Sequence, residues 1–305
     1  MIDTPRPENP FLGDAGPEET DRSLVARAAA GDRNALETLA HRHQPWIYNL
    51  AFRMVMVPQD AEDVTQDVLV KILTKLSSYD PEKGAFRTWL YRIVANHVLN
   101  MKTRGYEAHI SGFEDYYSFV DRVPDQEAGN DPETALVVED LKIGCVMGTL
   151  LCLNRSQRLA FILSVGFGAT DALGGELLEI SKDAFRKTLS RARGKLHMYM
   201  SGNCGVVNPA APCRCRKKAK SFIDSGAYSV ERLDFLAPNR PRMSELTGRI
   251  GEGVGQEVGE RIEALHRGHP FYAGKDLVSW LDDVLEQAGF AARRHGEVGD
   301  GSVDA

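Results

Sequence analysis

Residues 179–193 read Glu179-Ile180-Ser181-Lys182-Asp183-Ala184-Phe185-Arg186-Lys187-Thr188-Leu189-Ser190-Arg191-Ala192-Arg193. Ser181 is a favourable helix N-cap, and the run behind it predicts a helix over 182–200. Phe185, Leu189, Ala192 and Leu196 recur at helical spacing and share one face. Lys182, Asp183, Arg186, Lys187, Ser190 and Arg193 lie on or near the other. A shorter helix over 173–178 and the turn at 179–181 precede it, so 166–200 has helix–turn–helix proportions. A helix lying in a DNA major groove needs this pattern: an apolar side to pack, and donors aimed at phosphates and base edges.

The charge around this helix supports that reading. The chain as a whole carries −6, which argues against a generic nucleic-acid coat, yet residues 182–220 hold eleven Lys and Arg against the single acid Asp183. Such a local excess is an electrostatic footprint for phosphates; a solvated helix face with a basic tail is the plainer alternative.

Upstream, the pattern is helical throughout. Leu24, Val25, Ala28, Ala35, Leu36 and Leu39 step at helical spacing, with Ser23 as cap and Gly31-Asp32 as a turn. A second helix runs through Ile47, Leu50, Met54 and Val55 to Pro58. A third begins near Gln59, buries Val64, Val68, Ile72 and Leu76, and carries Asp60, Glu62 and Asp63 in its first turn, where the helix dipole favours acids. Those acids could equally dock a basic partner. A turn at 79–84 leads to a fourth helix over 86–104, in which Phe86, Trp89 and Tyr91 alternate with Arg87, Arg92, Asn96 and His97. Aromatic stacking plus backbone charge is how single-stranded DNA is held. Trp89 reads as core, whereas Arg92, Asn96, His97 and Asn100 form a polar ridge.

No stretch alternates as a strand does, so the expected fold is all-α. It comprises a disordered acidic lead at 1–21, a helical domain at 22–105 and a flexible linker at 106–134. The helix–turn–helix domain follows at 135–200, then a Cys/basic segment at 201–221 and a mostly helical extension at 222–305. Apolar residues make up 43% and charged residues 26%, which rules out bulk disorder. Neither a signal peptide nor a membrane helix is expected, because no apolar run approaches the ~20 residues a span needs. Five Cys are too few for a secreted disulfide scaffold, and the expected location is cytoplasmic. No phosphate-cradling Gly loop and no His-x-x-x-His helix is present, so an enzyme is not expected.

The order of these motifs resembles the extracytoplasmic-function group of sigma-70-like bacterial RNA polymerase sigma factors. The residues that carry the resemblance are Asp60-Ala61-Glu62-Asp63-Val64-Thr65-Gln66-Asp67-Val68, then Phe86-Arg87-Thr88-Trp89-Leu90, then the basic helix–turn–helix. The resemblance implies a subunit that brings core RNA polymerase to particular promoters, recognising the −35 element and melting the −10 element. It places Asp60, Glu62, Asp63, Gln66 and Asp67 against core polymerase. Asp80, Lys83, Phe86, Arg87, Arg92, Asn96, His97 and Asn100 would meet the −10 strand. Lys182, Asp183, Arg186, Lys187, Ser190 and Arg191 would meet −35 DNA. An anti-sigma factor is a further implied partner. Two departures suggest a strained or looser −35 module: Gly174-Gly175 in its first helix, and Glu179 where a turn Gly is common. The alternative is a stand-alone helix–turn–helix regulator, which would leave the acidic helix and the 86–104 ridge unexplained.

The tail adds its own candidates. Cys204, Cys213 and Cys215, with His197 upstream, could hold zinc. Alternatively, Arg214, Arg216, Lys217 and Lys218 would depress the thiol pKa values and favour redox chemistry, or the segment is an unligated basic loop. An amphipathic, Gly-weakened helix over 243–265 and a short one over 277–285 complete a regulatory extension expected to pack on one or both sigma domains.

Overall fold

The computed structural model describes residues 10–11, 15–103, 105–127, 129, 131–226, 229, 233, 257–269 and 271–272, with the backbone alone for 15–19. The described residues form eleven α-helices and no strand. In the first half these are α1 (Ala15–Ala29), α2 (Arg33–Val55), α3 (Pro58–Lys75) and α4 (Phe86–Asn100). Asp32 caps α2 by accepting from Ala35 N. This helix runs unbroken through Pro45 and ends at Met56 in the left-handed region (φ 63°). Pro58 therefore opens α3, at a position where its missing N–H costs nothing. Ala61, Val64, Thr65, Val68, Leu69 and Ile72 are the buried face of α3, as its stripe predicts.

The second half contains α6 (Pro132–Gly148), α7 (Arg155–Phe161), a single π-helical turn at Ile162–Gly166, α8 (Asp171–Leu177) and α9 (Lys182–Asn203). Ser181 accepts from Ala184 N at 3.1 Å, confirming the cap, and Phe185, Leu189, Ala192 and Leu196 are buried. The Gly174-Gly175 pair tightens the module rather than loosening it. A Cβ on Gly174 would lie 2.2 Å from Phe185 Cζ, and one on Gly175 would lie 3.0 Å from the Ile180 carbonyl oxygen. Glycine is what lets α8 close on α9. The strain sits next door: Glu179 holds φ 55°, a conformation costly for a residue with a Cβ.

Three segments read from composition as loose are ordered. Pro10 and Phe11 lie on the first half, where Phe11 meets the Tyr91 ring edge-on at 4.9 Å, and α1 starts at Ala15 rather than at Ser23. The linker carries α5 (Phe113–Arg122). Its Tyr116 is buried and donates to the Cys145 carbonyl at 2.9 Å, beside Gly148, where any side chain would collide with the ring. Past α9, residues 204–213 fold back through a backbone β-bridge between residues 204 and 213, whose thiols are free, to α10 (Cys215–Asp224). Of the helix expected over 243–265, α11 (Val258–Arg267) is described; Met243, Leu246, Ile250 and Val254 lie outside the described residues, as does the helix expected over 277–285.

The two helical halves share one hydrophobic core. Arg158, 2% exposed, welds them. Its guanidinium donates to Leu150 O (2.9 Å), Met54 O (2.6 Å), Glu107 Oε1 (2.9 Å), Leu151 O (3.2 Å) and Leu153 O (3.1 Å). Arg155 completes the joint, pairing with Glu107 Oε2 at 2.7 Å.

Candidate nucleic-acid and polymerase interface

The recognition surface begins with α9. Burial of its apolar side turns Lys182, Asp183, Arg186, Lys187, Ser190 and Arg191 outward, and all six are exposed. Arg186 Nε reaches Asp171 Oδ2 at 3.0 Å and its Nη1 reaches Asp183 Oδ1 at 3.4 Å, so this guanidinium is held across the α8–α9 turn. Arg193, expected near this face, instead pairs with Glu263 of α11 at 2.7 Å. The rest of the basic run is divided from it. Lys218 meets Asp125 at 3.0 Å, Lys217 meets Glu127 at 3.4 Å, and Lys220 pairs with Asp224. The positive charge of α10 is thus spent on the linker and on its own helix, and the exposed positive face is that of α9.

On α3 the acids stand opposite the buried stripe. Asp63 and Asp67 are exposed, while Asp60, Glu62 and Gln66 are half-buried. Asp60, Asp63 and Asp67 follow helical spacing and form one continuous acidic strip.

The −10 candidates divide. In the loop before α4, Asp80 accepts from Glu82 N at 3.0 Å and pairs with Lys83 at 3.1 Å; these hydrogen bonds and the ammonium hold its carboxyl below the usual range. Lys83 is exposed. Phe86 and Arg87 face inward, contrary to the sequence reading. Phe86 is completely buried, stacked with Trp89 at 5.5 Å and edge-on to His43 at 5.8 Å. Arg87 donates to Asp21 Oδ2 at 2.8 Å and to Pro10 O at 2.9 Å. Asp21 is buried and also meets Arg42 at 2.5 Å and His43 at 3.4 Å. Burial alone would raise its carboxyl pKa; His43, Arg87 and Arg42 outweigh that and hold it far below the usual range.

The ridge of α4 does present polar groups, and two of them, Arg92 and Asn96, look onto the second half. Arg92 Nη2 lies 3.1 Å from Glu179 Oε1, and Asn96 Nδ2 lies 3.5 Å from Glu179 Oε2. His97 sits 3.8 Å from Asp67, and Asn100 is exposed and donates to Asn96 O at 2.8 Å.

The cysteines do not gather into a ligand set. Among the described residues, no group of three or more His, Cys, Asp and Glu is placed to hold a metal ion. His197 faces α11, where a Cβ on Gly259 would be 3.8 Å from its ring. The basic neighbours do not lower the thiols either. Burial dominates, pushing Cys204 and Cys213 up and Cys215 well up; Cys145 on α6 is pushed up to about 12. Thiols so shifted are poor nucleophiles.

Residues that sequence reasoning missed include Asn49, Arg53, Glu107, Arg155 and Arg158. Polar residues inside helical stripes read as surface, and their partners lie far along the chain. Asn49 carried one signal: it sits alone inside the apolar run Trp46-Ile47-Tyr48-Asn49-Leu50-Ala51-Phe52.

Residues 39–106 match the family model for sigma-70 region 2, the segment that contains α3 and α4. The RNA polymerase sigma factor CnrH of Cupriavidus metallidurans is 28% identical over 190 residues, covering 61% of this chain and 97% of CnrH. The chain carries a sigma-70 region 2 and is similar over 61% of its length to extracytoplasmic-function sigma factors. The sigma factor SigE of Mycolicibacterium smegmatis is likewise 28% identical, over 61% of this chain and 70% of SigE. A solved structure of CnrH in complex with the cytosolic domain of CnrY aligns at TM-score 0.43 and 26% identity, over 60% of this chain and 97% of that one. More than a third of the chain lies outside each of these matches. No helix among its described residues is long and apolar enough to cross a membrane.

Proposed function

We propose that this sigma factor docks on core RNA polymerase through the acidic strip of α3, opens the −10 element with the α4 ridge, and reads the −35 element with the outer face of α9. In this reading Asp60, Glu62, Asp63, Gln66 and Asp67 meet polymerase. Lys83, Arg92, Asn96, His97 and Asn100 meet the −10 strand. Lys182, Arg186, Lys187, Ser190 and Arg191 meet the −35 groove, with Asp183 orienting Arg186. Phe86 and Arg87 hold α4 in place from inside. The factor acts in the cytoplasm as a specificity subunit, without chemistry of its own. An anti-sigma protein would compete for the α3 and α4 faces.

The observation that carries the reading is the α9 face: six polar or charged residues, all exposed, on a helix whose other side is buried. The test is binding to core polymerase by Asp63→Lys with Asp67→Lys. Weakened binding with unchanged helical circular dichroism supports the α3 assignment, whereas unchanged co-purification overturns it. Dimerisation with tight duplex binding in the absence of polymerase would favour the stand-alone regulator instead.

A further inference from the structure

Residues 257–269, with Phe271 and Tyr272, cross both halves of the molecule. On the second half, Ile262 and Leu265 of α11 are buried, Glu263 pairs with Arg193 of α9 at 2.7 Å, and Arg261 Nη1 donates to Val207 O at 3.1 Å. His266 packs edge-on against Phe161 at 5.1 Å, next to the π-helical turn. On the first half, the His269 carbonyl accepts from Arg53 Nη2 at 3.3 Å, and Phe271 meets the Trp46 ring at 4.4 Å.

The tightest link is between Asn49 and Tyr272. Asn49 is completely buried; its Nδ2 donates to Tyr272 O and its Oδ1 accepts from Tyr272 N, both at 2.8 Å. A side-chain amide can pair with a passing backbone in this two-way fashion only if that backbone is there. Without residue 272, Asn49 would face the core with its Oδ1 unsatisfied, which is costly. The buried face of α2 is therefore built to receive the strap.

With the strap in place, α4 packs along α7 and α8, and Glu179 takes up Arg92 and Asn96. Those are the side chains assigned to the −10 strand. Glu179 reaches them from its left-handed backbone position at the turn of the helix–turn–helix. The same contact thus sets the Glu179 carboxylate on Arg92 and Asn96 and ties the −35 module to the −10 ridge, where the carboxylate competes with a DNA phosphate for both side chains.

We propose that residues 257–269, with Phe271 and Tyr272, are an inhibitor built into the chain. The strap clasps the two DNA-binding halves together, and its departure frees Arg92 and Asn96 of the −10 ridge from Glu179. The inference rests on the assignment of that ridge to promoter DNA. The direct test uses the full chain with Asn49→Leu, which puts an apolar group of similar size in place of the amide and removes both bonds to Tyr272, and with Glu263→Arg, which sets like charges opposite Arg193 at the edge of α11. Two hydrogen bonds of ordinary net worth shift the closing equilibrium by about ten- to a hundredfold. Amide exchange of 258–267 and 86–100 should accelerate to that extent, and transcription with core polymerase should rise. The Glu263→Arg change, at a half-buried position outside the core, keeps the experiment decisive if Asn49→Leu does not fold. Loss of protection over 258–267 with unchanged exchange over 86–100, or with unchanged or lower transcription, overturns the proposal. Faster exchange in both segments, with no transcript from parent or variants, supports the clasp and refutes the promoter assignment.

Discussion

Replacing Arg158 by methionine removes a guanidinium while leaving much of its volume. The structure sets the cost. All five N–H groups are used, on four backbone carbonyls and Glu107, within 2.6–3.2 Å, at a site where the side chain is 2% exposed. Leu150, Leu151 and Leu153 belong to the turn that follows α6, whereas Met54 is at the end of α2, so the loss falls on the joint between the halves. Removing one partner of a buried ion pair costs ~3–5 kcal/mol. Arg155 still holds Glu107, at 2.7 Å, which places the expected loss near the lower end, about 3–4 kcal/mol. At roughly 2–4 °C per kcal/mol for a chain of this order, the melting temperature should drop by about 6–16 °C. Thermal and urea unfolding followed by circular dichroism measure this, with Arg158→Met compared with Glu107→Gln and the double variant. A loss below ~1 kcal/mol for Arg158→Met, or strict additivity of the two changes, would refute the weld.

Three further outcomes are expected. Gly174→Ala drives a methyl into the Phe185 ring, so it should destabilise the helix–turn–helix by ~1–3 kcal/mol; a neutral change in urea midpoint would show that α8 does not need this close approach. Burial, and secondarily the charge of Arg53, lowers the His266 pKa to about 3, so the docked strap excludes a proton that the released strap binds near the ordinary 6.5. Docking should be complete above that value and weaken as pH falls toward 3, by up to ~1.4 kcal/mol per unit, and His266→Leu should flatten this slope in exchange of 258–267. Arg186→Ala should cost ~1–3 kcal/mol on the −35 element and relax specificity at one base position, whereas a phosphate contact such as Lys187 should weaken all sequences and reduce the salt slope by about 1.

Local periodicity made the helices readable. Phe185, Leu189, Ala192 and Leu196 on α9, and Val64, Val68 and Ile72 on α3, are buried because each repeats at helical spacing, and Ser181 caps because its hydroxyl needs only the amide three residues on. The outward faces of α3 and α9 followed from the same geometry. What escaped depended on partners distant in sequence. Arg87 reads as a DNA contact until Asp21, 66 residues earlier, is seen to accept from it. Tyr116 reads as linker until it lodges beside Gly148. The thiols illustrate a contest of magnitudes: nearby Arg and Lys favour the thiolate, but burial opposes it more strongly. Asn49 and Arg158 were hidden for a related reason. A buried polar side chain is stable only when every partner is in place, and those partners come from segments brought together by the fold.

Promoter-specific initiation is the central claim. Core RNA polymerase should be incubated with the full chain, and separately with its Asn49→Leu form, on genomic fragments, and transcript 5′ ends mapped. The account predicts discrete start sites that are absent with core alone, stronger with Asn49→Leu, and lost with Asp63→Lys/Asp67→Lys. No polymerase binding and no start site from either form would contradict it.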